Sequence, residues 1–167
     1  MIYSDFPYKR IDFDKFKSNV EKMIKQFELS ETAENQIRII QEYQNIQKEI
    51  QTYGSIAHLN FARNTKDEKA VEENKFYDGI GPEIAAIDNQ FTKAINNSNF
   101  KEELLKKFGK HFFNLIEMEL KSFDPKLVSL MKEENELSNE YRSLLAGAEM
   151  DYKGKTLNLA GLSPYMQ

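Results

Sequence analysis

His58 and His111 are the only imidazoles in the chain, so any nitrogen-based metal or acid–base chemistry has to start from them. A zinc peptidase centre sets two histidines one helical turn apart, as His-Glu-x-x-His, so that both face one ion beside a general base. The local text is His58-Leu59-Asn60-Phe61 and His111-Phe112-Phe113-Asn114, and neither stretch has that spacing or that glutamate. Cysteine is absent. That removes disulfides, thiolate nucleophiles and cysteine-bound zinc, and it fits a reducing compartment. Carboxylates are plentiful: Glu117 and Glu119, then Glu133, Glu134, Glu136 and Glu140. Glu133 with Glu136, and Glu136 with Glu140, are spaced to share a helix face. Di-iron bundles add Glu-x-x-His on facing helices, and that tetrad does not occur here. These glutamates, with Glu72-Glu73 and Lys106-Lys107, read as solvated helix faces.

Gly79-Ile80-Gly81-Pro82 resembles a phosphate loop only superficially. Such a cradle needs more glycines, a preceding strand and a following Lys-Ser/Thr pair. Ser143 and Ser163 have no histidine in a readable motif to activate them. The sequence therefore predicts no catalytic residue, no cofactor-binding residue and no metal ligand in this chain. Tyr43, Tyr53, Tyr77 and Tyr141 each combine an apolar body with a hydroxyl that needs a partner. They belong either at the margin of the core or along a groove that grips an extended peptide or a partner domain.

Helices must position all of this. After an extended lead-in held open by Pro7, Asp12 or Asp14 caps a first helix whose Phe13, Phe16, Val20, Met23 and Phe27 share a face. A second helix, capped by Ser30 with Glu34 or by Thr32 with Asn35, runs to about residue 60. Ile39, Tyr43, Ile46, Ile50, Tyr53 and Ala57 form its stripe, and Ile37 and Ile40 widen it. A third begins near Asp67, and the Gly79–Pro82 stretch is expected to kink or interrupt it before Ile84, Ile87, Phe91 and Ile95 resume the pattern. Phe100, Leu104 and Phe108 mark a short segment closed by Gly109. Phe112, Leu115, Ile116, Leu120 and Phe123 mark the next. Asp124-Pro125 is the clearest boundary, with Asp as N-cap and Pro in first helical position. The last long helix carries Leu127, Leu130, Met131, Leu137, Tyr141, Leu144 and Leu145. Lys153-Gly154 then turns a hairpin at about residues 149–159.

The predicted fold is mostly α: one antiparallel, bundle-like helical lobe over residues 1–167 with a small C-terminal β-hairpin. Lys and Arg number 23 against 27 Asp and Glu, a net charge of −4, which argues against nucleic acid as a partner. Nothing at the start reads as a signal peptide, and no window is apolar enough to span a membrane. A cytoplasmic location is expected. A lone hairpin is marginal in water, so the sequence looks like the front part of something larger.

Three stretches carry a family likeness. They are Tyr8-Lys9-Arg10-Ile11-Asp12-Phe13-Asp14; Phe100-Lys101-Glu102-Glu103-Leu104 leading to Lys107-Phe108-Gly109-Lys110-His111-Phe112-Phe113; and Glu133-Glu134-Asn135-Glu136-Leu137-Ser138-Asn139-Glu140-Tyr141 leading through Leu144-Leu145-Ala146 to Tyr152-Lys153-Gly154-Lys155-Thr156-Leu157-Asn158-Leu159. The closing Leu162-Ser163-Pro164-Tyr165-Met166 joins them. Together they resemble the N-terminal region of the M3 family of zinc metallopeptidases, of oligoendopeptidase F type. The resemblance implies a wall lobe of a channel that admits short peptides. It also implies that the zinc and its His-Glu-x-x-His ligands lie in a C-terminal catalytic region, the natural partner of this lobe, so that this chain alone is inert. The competing expectation from the residues is a self-contained helical module that binds a protein or peptide. A small metal–carboxylate helical enzyme is a third.

Overall fold

A computed structural model describes residues 8–165 and, at Pro125, the backbone alone. Pro7 and Met166, which figured in the sequence expectations, lie outside the described residues. Five long helices are followed by a hairpin: α1 (Phe13–Glu28), α2 (Ala33–Arg63), α3 (Glu68–Asn96), α4 (Lys101–Ser122), α5 (Val128–Gly147), β1 (Glu149–Tyr152) and β2 (Lys155–Asn158). A helical turn, α6 (Leu159–Leu162), and a 3-10 turn at Ser163–Tyr165 close the described chain.

The caps decide where helices begin. Asp12 accepts from the Lys15 N–H, Thr32 from Asn35, and Asp67 from Lys69 and Ala70, so of the two caps open for α2 it is Thr32 that acts. On α1 the residues Phe16, Val20, Met23 and Phe27 are buried, as their spacing requires. They meet Ile39, Ile40, Tyr43 and Ile50 of α2, Ile87, Phe91, Ala94 and Ile95 of α3, and Leu104, Phe113 and Ile116 of α4 in one core. Phe91 joins them edge-on, its ring centroid 5.6 Å from Phe27 and 4.4 Å from Tyr43. Cross-links between neighbours run in opposite senses along the chain, Tyr43 to Asp88 and His58 to Asn74, so α2 and α3 are antiparallel.

The expected interruption of α3 does not occur: the helix runs through Pro82 to Asn96. Two features explain this. Proline strains a helix partly by pressing its Cδ on the preceding residue's Cβ, and Gly81 has no Cβ. Proline also leaves the carbonyl four residues back without a donor, here that of Asp78. Asn135 on α5 fills the gap, its Nδ2 donating to the Asp78 carbonyl at 3.0 Å.

α4 breaks where expected. Gly109 takes φ 85° and ψ 166°, a region open to glycine alone, so two helical segments meet there. Asp124 caps as expected, accepting from the Lys126 N–H at 2.9 Å. What it starts, however, is a 3-10 turn over Pro125–Leu127, and α5 begins only at Val128. The hairpin pairs Glu149 with Asn158 and Tyr152 with Lys155. Lys153 and Gly154 both have positive φ, 50° and 77°, as a type I′ turn demands. α5 holds no buried residue, and Leu130, Leu137, Tyr141 and Leu144 on it are exposed.

Candidate functional site

The richest polar constellation lies where α5 rests on α3. Asn74 and Asp78 are one turn apart on α3, Asn135 and Asn139 one turn apart on α5, and the two pairs face each other. Asn74 is buried, 3% exposed. Its Nδ2 donates to Asp78 Oδ2 at 2.5 Å and to Asn139 Oδ1 at 3.4 Å. Asn139 Nδ2 donates to the same Asp78 oxygen at 2.7 Å. On the α2 side, Nδ1 of His58 lies 3.3 Å from Asn74 Oδ1. A Lys132–Glu83 ion pair at 2.5 Å ends the row. Beside it opens a cleft of about 480 Å³ whose walls include Phe61, Val71, Glu136, Glu140 and Ser143.

This arrangement joins α5 to α3 and to His58 of α2; it has no nucleophile–base pair. His58 is engaged by an amide rather than by Ser143, and His111 is exposed. Glu133, Glu134, Glu136 and Glu140 are exposed, in line with their reading as a solvated face. Among the described residues no three of His, Cys, Asp and Glu converge so as to hold a metal ion. The donor set does not fit a zinc centre.

A second cavity, about 470 Å³, lies among α2, α3, α4 and the start of α5. At it the Tyr43 hydroxyl donates to Asp88 Oδ1, and the Thr92 hydroxyl donates to Glu119 Oε1 at 3.1 Å. Burial pushes the Asp88 carboxyl above the usual carboxylate range although Tyr43 and Gln47 donate to it. Burial raises Glu119 as well, against the Thr92 bond, and the Asp88 charge adds to the rise.

Glu73 departs from its expected place on a solvated face. The Tyr8 hydroxyl donates to it, and Arg10 bonds it through Nε at 3.0 Å while its Nη2 reaches Glu72 at 2.8 Å. The Arg10 guanidinium also lies 4.8 Å from the Phe76 ring centroid. Partial burial pushes the Glu73 carboxyl up, but the hydrogen bonds from Arg10 and Tyr8 and the charges of Arg10 and Lys69 outweigh it, leaving it below the usual range. These contacts strap the segment before α1 onto α3.

The four tyrosines do not meet in one groove. Tyr43 is 4% exposed and belongs to the core. Tyr53 and Tyr77 lie at the strap: Tyr53 packs edge-on against Tyr8 at 6.2 Å, and the Tyr77 hydroxyl accepts from the Ile11 N–H at 3.4 Å. Tyr141 stands on the outer face of α5. Asn74, Asp78, Asn135 and Asn139 did not figure among the candidate residues. Their signal is a polar pair at i, i+4 on each of two helices.

Fold and site define a helical lobe braced by a polar α3–α5 contact, with no metal-binding cluster among the described residues. The Peptidase M3 N-terminal domain model matches residues 3–123, and the chain belongs to that family. No curated protein matches the sequence significantly. Among solved structures, a protein described as an oligoendopeptidase F is 28% identical with a TM-score of 0.93 over 99% of this chain. PZ peptidase A, solved with an inhibitor, is 30% identical at 0.92 over 98%. An oligoendopeptidase F from Bacillus anthracis str. Ames is likewise 30% identical at 0.92 over 98%. This chain spans 29–30% of the length of those chains.

Proposed function

We propose that the chain is the N-terminal wall lobe of the substrate channel in a zinc-dependent oligoendopeptidase that hydrolyses short peptides in the cytoplasm. The observation that carries this reading is the match to the M3 N-terminal domain together with likeness, over 98% of this chain, to 29–30% of the length of peptidase chains. The residues agree with it: clefts, the bonded amides of the α3–α5 contact and an exposed apolar face suit shaping and docking. Because the donors present do not fit zinc, the metal and its ligands are assigned to the catalytic region that follows in the relatives, and no hydrolytic step is assigned to this chain. A narrow wall would admit unfolded peptides and exclude folded proteins by size. The purified 167-residue chain is expected to retain no zinc after dialysis and to leave an unstructured peptide intact. Stoichiometric tight zinc with sustained turnover would sink this reading.

A further inference from the structure

α5 has two unlike faces. The inner one meets α3 through Asn135, Asn139 and Lys132. The outer one carries Leu130, Leu137, Tyr141 and Leu144, spaced by seven, four and three so that they form one stripe, and they are 58%, 58%, 62% and 72% exposed. A contiguous apolar row on a helix that itself buries nothing marks a surface meant to be covered. Glu133 and Glu140 flank the row on one side and Glu134 on the other, and none of the three has an ion pair among the described residues. The family match closes at residue 123, just before this helix. In the solved relatives some 70% of the chain lies outside the matched part.

We infer that the outer stripe of α5 is the seat of the catalytic region of the same peptidase, and that the segment resting on it is apolar with Lys or Arg along its margins. This rests on the peptidase reading. The leucines supply the knobs of a helical contact, and basic margins answer the unpaired Glu133, Glu134 and Glu140. Of the four tyrosines, Tyr141 is the one in this docking row.

The test joins this chain to the remainder of the Bacillus anthracis oligoendopeptidase F in place of the region it matches. Peptide hydrolysis and the rate at which a protease separates the two parts are then measured. Wild type and the control Leu29→Glu, which lies outside the stripe, are expected to hydrolyse peptide and resist separation. Leu137→Glu with Leu144→Glu should separate at least about tenfold faster, as expected when two anchors of an interface are lost, and Glu133→Lys with Glu140→Lys should fall between. If the leucine variant behaves as wild type in an active joined protein, the stripe is not the seat, while the peptidase reading stands. A folded, zinc-loaded joined protein that hydrolyses nothing removes the peptidase reading itself. In the 167-residue chain alone the same leucine variant should leave the thermal midpoint unchanged. A fall would place these leucines in the chain's own packing and overturn the inference. So would a wild-type dimer that the variant dissolves, since the occupant would then be a second copy.

Discussion

Pro82 sits inside a helix that does not break, and the bond that compensates for it comes from another helix. Replacing Asn135 by Ala removes the 3.0 Å donation to the Asp78 carbonyl and leaves that carbonyl without its helical donor. An ordinary hydrogen bond contributes about 1 kcal/mol net, and an unsatisfied buried acceptor costs about 1–3 kcal/mol. The site borders a cleft of about 480 Å³ that water can enter, so the lower part of the range applies, about 1–1.5 kcal/mol. In a Pro82→Ala background the new N–H at position 82 reaches the same carbonyl, and Asn135→Ala should then cost less than about 0.5 kcal/mol. The coupling, about 1 kcal/mol, exceeds the ~0.3–0.5 kcal/mol within which independent sites add. Urea unfolding of the four proteins, compared at unchanged m, measures it. Asn139→Ala is the control: Asn139 bonds the Asp78 side chain, so its cost should not depend on residue 82. An Asn135→Ala cost that is the same in both backgrounds would refute the account of how α3 tolerates its proline.

The two glycines of the same stretch should part company. A Cβ on Gly79 or on Gly81 meets nothing within 4 Å. Gly79→Ala should therefore gain about 0.5–1 kcal/mol from helix propensity, while Gly81→Ala sets a Cβ against the Pro82 ring and should gain nothing or lose stability. Equal gains in thermal midpoint would remove the special role given to Gly81. At the second cavity, Asp88 and Glu119 are raised by burial in the folded state, so the folded protein holds their protons longer than the unfolded chain. Their penalty is absent below the unfolded pKa and grows as pH rises through the folded values. Asp88→Asn keeps an acceptor for Tyr43 and should raise the midpoint at about pH 7–8, with the difference closing towards about pH 3.5, below the ordinary aspartate value. A midpoint difference that does not change with pH would refute this assignment.

Local rules carried a reader far along α1, where Phe16, Val20, Met23 and Phe27 are spaced for one face and are buried on it. They also located the break at Gly109 and the Lys153-Gly154 turn, because a positive φ narrows the choice of residue so sharply. What local rules missed depended on partners distant in sequence. Pro82 announces an interruption until Asn135 is placed against Asp78. Glu73 looks solvated until Arg10 and Tyr8 fold back on it. The Asn74/Asp78 and Asn135/Asn139 pairs each look like an ordinary wet helix face, since nothing within a single helix says that two such faces will meet.

That meeting explains why the α3–α5 contact is polar. Leucine rows facing one another tolerate sliding, because one apolar neighbour replaces another at little cost. Here Asp78 Oδ2 takes donors from Asn74 at 2.5 Å and Asn139 at 2.7 Å while the Asp78 carbonyl takes Asn135. A slip of α5 by one turn, about 5.4 Å, would break both α5 bonds to Asp78 at once and strand a proline-orphaned carbonyl. Satisfied polar networks specify one arrangement in this way because each unsatisfied member is costly. The network thus fixes the register and rotation of a helix whose own apolar row is turned away from the core. A docking face held at the wrong rotation would present Glu136 where Leu137 belongs.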